Sequence, residues 1–353
     1  MQGPRIPESN EFSKVVDFLN DQLRPDQNWS ISHEYPTALN PNNMHNMRII
    51  TEDEKVISHA VLKPIIVKTP VCIFKIAAIG SVVTQATHRG QGFSTKVIEE
   101  CLAEAKAQDC DLSILWTNLY DFYRKLGFEL AGNEVSFVID QELGALSPTY
   151  RYLDTHQVSS DAILRLYNQH TVTNYRTSED IRKYLQIPNT HVYTAWDASG
   201  QLAAYAVEGK GADLTDYIHE WGGGVSALQS LLTYIFKTKK RAFTLIAPTH
   251  SINLIARLDE HGFVKNEGYL GMLKIINLKS LSTKVGRYVQ SRGVKNFKLE
   301  KTETGLIFQV DQTSINLNSE QELLKLLFGP SEYSEELTEL FPLPLWIWGW
   351  DSI

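Results

Sequence analysis

The chain of 353 residues holds only three cysteines, Cys72, Cys101 and Cys110. An odd number at irregular spacing builds no disulfide framework and no metal-ligand pattern, so a reducing compartment is expected. Excess positive charge is also missing: 34 Lys and Arg face 41 Asp and Glu, a formal net charge of −7. A general nucleic-acid binder carries a basic field, so this balance speaks against that class and tolerates cationic substrates such as amines. No apolar run is long. The most apolar stretch, LFPLPLWIWGW, is too short and too proline-broken to span a bilayer. The opening MQGPRIPESNEF lacks the charged-then-apolar order of a secretion signal. A cytoplasmic protein without membrane or nucleic-acid partner is expected.

What is present is a hydrophobic content of 43%, ordinary for a globular chain, and length for two or three cores. Phe12, Val15, Val16, Phe18 and Leu19 share one helix face within residues 11–23. A polar segment rich in Asn and Pro then runs to about Met47, the length of a binding lid or a surface loop. MRIITEDEKVISHAVLKPIIV predicts two strands joined at EDEK, and CIFKIAAIGSVVT a third. RGQGFS follows, and then a helical pattern with Val97, Ile98, Cys101, Leu102 and Ala105 on its apolar face. DLSILWT predicts a buried strand and EVSFVI a closing strand. Between them NLYDFYRKLGF predicts a short helix, with Asn118 as N-cap and Gly127 just past its end. After a linker, SPTYRYLDTH, a second α/β pattern follows. From residue 277 the pattern becomes helix, hairpin, strand and capped helix. The fold class is α/β, with units at 1–145, 146–276 and 277–353.

The first two units align with each other. RGQGFS (89–94) matches WGGGVS (221–226), and NLYDFYRKLGF (118–128) matches NLIARLDEHGF (253–263). Gly92 to Asn118 spans 26 residues and Gly224 to Asn253 spans 29, so two ordered matches at near-equal separation mark a duplicated fold. The copies differ where chemistry would sit. Arg89 corresponds to Trp221 and Tyr123 to Leu258. A leucine serves the packing in the second copy, so the phenol oxygen of Tyr123 is an addition that packing does not require.

Orphan N–H groups at a helix start favour an anion, and glycine lets a phosphate approach the backbone. In RGQGFS the N–H groups of Gln91 to Thr95 could cradle a diphosphate, with Arg89 adding charge and Ser94 as N-cap. By its glycines alone the stretch reads equally as a plain turn. A dinucleotide fingerprint fails at Thr95, and no Gly-Lys-Ser/Thr follows for a Walker loop.

The RGQGFS loop after a long strand, with NLYDFYRKLGF about thirty residues later, resembles the GNAT N-acetyltransferase superfamily. Ser94 departs from the Gly or Ala usual there. An active copy, a degenerate copy and a small C-terminal unit together resemble the enhanced intracellular survival family of tandem acetyltransferases. The resemblance implies two tandem GNAT-like mixed-sheet domains and a small α+β, sterol-carrier-protein-like third domain. It implies acetyl-coenzyme A as co-substrate, with its pyrophosphate on Arg89, Gly90, Gln91, Gly92, Phe93, Ser94 and Thr95. Its pantetheine arm would pair with Val82 and Val83, and Asn118 and Tyr123 would lie near the thioester. Tyr123 would be the general acid and the carboxylate of Ile353 the general base, with Asp351 a second carboxylate at the same place. The acceptor would be a primary amine, aminoglycoside-like, polyamine or peptide, in a cleft between the first unit, the 28–46 loop and the tail. The family forms oligomers, which implies a homo-oligomer. A different class stays open: a non-catalytic acyl-coenzyme A or lipid sensor. Tyr123 beside an intact loop favours the enzyme.

Overall fold

The computed structural model describes all 353 residues. The chain begins β1 (Gln2–Arg5), α1 (Phe12–Leu23), α2 (Ile31–Glu34), β2 (Met47–Glu52), β3 (Lys55–Lys68), β4 (Ile73–Thr84), α3 (Phe93–Ala107), β5 (Leu112–Leu115), α4 (Tyr120–Arg124) and β6 (Glu129–Ile139). The EDEK turn closes a hairpin in which Asp53 and Glu54 both adopt positive φ, 47° and 61°. Residues 56–62 of β3 are buried without alternation, because helices cover both faces. On one side Val97, Ile98, Cys101 and Ala105 of α3 pack on Ala60, Leu62, Ala77 and Ile79. On the other, Val15 and Leu19 of α1 pack on Ile49, Val61 and Val83. Each buried Val, Leu or Ile among them contributes roughly 1.5–3 kcal/mol by leaving water, and the alanines less.

The second part runs β7 (Arg151–Asp154), α5 (Ser160–Tyr167), β8 (Thr173–Asn174), α6 (Ser178–Tyr184), β9 (His191–Trp196), β10 (Leu202–Lys210), β11 (Asp213–Gly223), α7 (Val225–Lys239), β12 (Phe243–Pro248), α8 (Ile252–Glu260) and β13 (Val264–Ile275). Part of the predicted linker is thus strand β7, and α5 and α6 precede the strands expected first.

All thirteen strands form one mixed sheet, ordered β1-β2-β3-β4-β5-β13-β6-β12-β11-β10-β9-β7, with β8 on the edge of β3. The two closing strands are exchanged. β13 lies antiparallel to β5 of the first copy, and β6 lies antiparallel to β12 of the second. They also pair with each other from Val264↔Val138 to Leu273↔Glu129. Each copy alone would leave an open edge of unpaired N–H and C=O groups here; the exchange satisfies both edges.

The chain ends with α9 (Leu278–Ser291), a three-stranded antiparallel sheet of β14 (Phe297–Lys301), β15 (Leu306–Val310) and β16 (Thr313–Leu317), then α10 (Glu320–Phe328) and α11 (Glu335–Thr338). Asn277 caps α9 and Ser319 caps α10. α10 packs on β6 and β13. The last fourteen residues then return across the large sheet. Trp346, Trp348 and Trp350 are all buried, and Trp348 donates its indole N–H to the Val172 carbonyl at 2.9 Å. No helix is long and apolar enough to cross a membrane.

Candidate active site

β4 sits between β3 and β5, but the parallel pairing with β5 ends at Ala78↔Ile114. From Ile79 to Thr84 that edge of β4 has no partner strand, and it includes Val82 and Val83. An extended ligand can pair with such an edge as an added strand. On the β3 side the register slips between His59↔Val83 and Val61↔Gly80. The slip is a bulge, with Ser81 at a φ of 49°. The buried His59 ring donates from Nδ1 to the Ser81 carbonyl at 2.8 Å. Burial lowers its pKa to about 4, against the Ser81 hydrogen bond, so the ring is neutral. Its Nε2 is buried with no partner.

The free edge leads to Arg89–Ser94. Gly90 and Gly92 have φ of 77° and 78°, a region in which a side chain would be strained. A Cβ at either would meet nothing within 4 Å, so the loop faces open space. The first backbone bond of α3 is from Lys96 N–H to the Gly92 carbonyl. The N–H groups of Gly90 to Thr95 make no hydrogen bond within the chain. Ser94 is not the N-cap. Gly92 holds that position, and the Ser94 hydroxyl is taken by the Thr84 hydroxyl at 2.8 Å. The donors a serine cap would have occupied are left for a ligand. Arg89 is exposed, and its Nε donates to the Thr84 carbonyl at 3.2 Å, which fixes its guanidinium beside the loop. These donors fit a diphosphate.

Tyr123 lies on α4, which spans only five residues. Phe128 N–H closes on the Tyr123 carbonyl at 3.1 Å, with Gly127 at a φ of 84°, so the glycine ends the helix as predicted. Asn118 does not cap this helix. It lies on the exposed turn before it, the cap position is Leu119, and the Thr117 hydroxyl accepts from Leu119 N–H. The Tyr123 ring is buried against Phe122 and Phe128, edge to face at 4.9 and 5.9 Å. Its hydroxyl has no protein partner, and burial raises its pKa to about 12.

The tail brings Ile353 to the β4 bulge. A Cβ on Gly80 would lie 2.7 Å from the Ile353 carbonyl carbon, so only glycine admits the tail here. Lys210 holds the approach, donating to the carbonyls of Gly349 (2.8 Å), Trp350 (3.3 Å) and Ser352. Asp351, read as an alternative base, is instead an anchor. It accepts from Asn174 (2.6 Å), Arg176 Nε (2.8 Å) and Tyr184 (2.9 Å), with Lys63 at 3.4 Å. Burial alone would raise its pKa, but Arg176 and Lys63 overrule it and hold the carboxyl well below its usual range. A carboxylate so engaged has no lone pair to offer a substrate. A cavity of about 470 Å³ ends at Ile353; Tyr35, Trp116, Glu134, Lys210 and Trp346 are among its walls. Tyr35 comes from the 28–46 loop, which therefore does face this cavity. His59, Gly80, Glu134 and Arg176 were not singled out from the sequence, where each is a lone residue in an apolar run or polar segment.

An open strand edge, a cradle of free N–H groups and a buried tyrosine on a short helix make a site shaped for an extended ligand that carries a diphosphate. Residues 6–131 match the family model described as an acetyltransferase (GNAT) domain. The whole chain shares its fold with three solved structures. One is a protein of unknown function from Enterococcus faecalis V583, a probable N-acyltransferase: 14% identity, TM-score 0.63, covering 97% of this chain and 96% of that one. Another is a GCN5-related N-acetyltransferase from Anabaena variabilis ATCC 29413: 16% identity, TM-score 0.63, covering 95% and 91%. The third is Eis1 from Mycobacterium abscessus: 10% identity, TM-score 0.58, covering 96% and 95%. No curated protein matches the chain.

Proposed function

We propose that this protein transfers an acetyl group from acetyl-coenzyme A to a primary amine. The observation that carries the reading is the open β4 edge, with six free N–H groups (Gly90 to Thr95) beyond one end and the chain's last residue seated on its bulge. The loop with Arg89 holds the diphosphate, and the edge at Val82 and Val83 holds the pantetheine arm. Acetyl-coenzyme A supplies a thioester carbonyl open to an amine and a thiolate that leaves. An alkylammonium has a pKa near ~10.4, so the amine must first lose a proton. The Ile353 carboxylate takes it. The Tyr123 hydroxyl stays protonated at neutral pH and gives its proton to the departing sulfur. Asn118 borders this end of the site. The units divide at 145 and 276, and the third, α+β and sterol-carrier-like, delivers the tail.

Tyr123→Phe is expected to lower kcat by ~10²-fold with coenzyme affinity unchanged. Thiol release over an amine panel measures this, and unchanged turnover would remove Tyr123 from the reaction. Coenzyme binding without thiol release for any amine would instead favour the sensor. Arg89→Ala is expected to weaken coenzyme binding by about 10-fold, the loss of one charged hydrogen-bond partner. Calorimetry should find one coenzyme per chain, because Trp221–Ser226 has no such arginine; two sites would mean that the second copy is not degenerate.

A further inference from the structure

In the 470 Å³ cavity the charged side chains other than Glu134 are paired. Asp213 accepts from Arg24 at 2.9 Å and from the Tyr35 hydroxyl. The Lys210 ammonium is consumed by the tail carbonyls. His219 donates from Nε2 to the Gly209 carbonyl at 2.9 Å, and its Nδ1 is buried without a partner, but burial lowers its pKa to about 3 and keeps the ring neutral. Glu134 differs. Its carboxyl makes no hydrogen bond and no ion pair, although it is half-buried on β6 in the middle of the sheet. Its cross-strand neighbours are Pro248 on β12 and Gly268 on β13, and neither side chain can donate. Gly268 also leaves room: a Cβ there would stand 3.8 Å from Glu134 Oε1.

A second cavity, of about 450 Å³, shares Glu134 and Tyr269 with the first and continues past Gly268 to Pro330. Glu134 therefore lines both cavities, whereas Ile353 lines only the first. We infer that Glu134 is a specificity-determining residue, binding a second ammonium of an extended acceptor such as a linear diamine or longer polyamine. The inference rests on the proposed acetylation of the first amine at Ile353. Burial alone raises the Glu134 pKa to about 7, so a bound cation would stabilise its charged form. The nearby alternatives do not supply that cation, since each positive group on the cavity wall is already engaged.

The test compares linear diamines of graded length with the monoamine of matching chain length, in wild type and in Glu134→Gln. Binding is read by calorimetry on the full chain, and KM by thiol release. Wild type is expected to bind the best-fitting diamine at least ~10-fold more tightly than its monoamine. Glu134→Gln, which keeps shape and removes charge, should erase that preference and leave the monoamine unchanged. Equal binding of diamine and monoamine by wild type would overturn the inference, as would a preference that survives in Glu134→Gln. A calorimetric preference without thiol release would uphold Glu134 and refute the reaction instead.

Discussion

Adding two residues after Ile353 is expected to lower kcat by ~10²- to 10⁴-fold with little change in coenzyme affinity. The expectation comes from how the tail is held. Lys210 grips three carbonyls within its last residues, and Asp351 is locked by Asn174, Arg176 and Tyr184. The tail cannot slide back to absorb an extension. Two further residues would carry the carboxylate up to ~7 Å away from the bulge and replace it with a neutral amide. Gly80→Ala tests the same seat without adding residues. Its Cβ would stand 2.7 Å from the Ile353 carbonyl carbon and 2.9 Å from its oxygen, both backbone atoms, so the tail must move. Both variants should still bind coenzyme, because the Gly90–Thr95 donors are untouched. Full turnover in the extended chain would exclude the terminal carboxylate as base. Loss in Gly80→Ala alone would move the role to the β4 bulge itself.

Local features of the site were legible in the sequence because local rules produce them. Positive φ at Gly90, Gly92 and Gly127 follows from glycine at a loop and a helix end. The EDEK hairpin and the apolar face of α3 follow from turn chemistry and the 3.6-residue period. The duplication was visible because both copies kept their punctuation. What stayed hidden depends on partners far along the chain. Nothing within EVSFVI or YLGMLKII says which copy each strand closes, since both are apolar strands that suit either edge. Asp351 reads as a free carboxylate until Arg176, some 175 residues earlier, is placed beside it. The caps assigned to Ser94 and Asn118 failed for a related reason. Ser94 was taken by Thr84, and the turn before α4 began one residue later than the asparagine rule expects. Glu134 is polar within an apolar strand, and only the cavity beside it gives that polarity a meaning.

Arg176→Met is expected to destabilise the fold by ~3–5 kcal/mol at neutral pH, the cost of leaving buried acids without their cation. Arg176 is fully buried, with its guanidinium 4.0 Å above the Tyr167 ring. It meets Glu220 through two bonds of 2.8 and 3.0 Å and Asp351 at 2.7 Å. The two acids respond differently. Burial raises Glu220 in spite of Arg176, whereas Asp351, which also has Lys63 and Asn174, is held well below its usual range. Asp351 is therefore the acid whose ionisation supports the fold. A depressed folded pKa gives stability above the unfolded value of ~3.9, lost as pH falls toward the folded value. Without Arg176, Asp351 keeps Lys63, but Glu220 keeps no cation, so burial would dominate there and its charge would oppose folding at neutral pH. Acid would relieve that opposition in Arg176→Met while it removes a stabilising charge in wild type. The gap between the two proteins, read from urea midpoints, should thus be widest near neutral pH and shrink as pH approaches ~4. Adding Asp351→Asn and Glu220→Gln to Arg176→Met should recover part of the loss, since no buried carboxylate is then left beside the vacated guanidinium position. A gap independent of pH would mean that Arg176 acts by packing alone, and that the tail is held by its three tryptophans and not by its ion pairs.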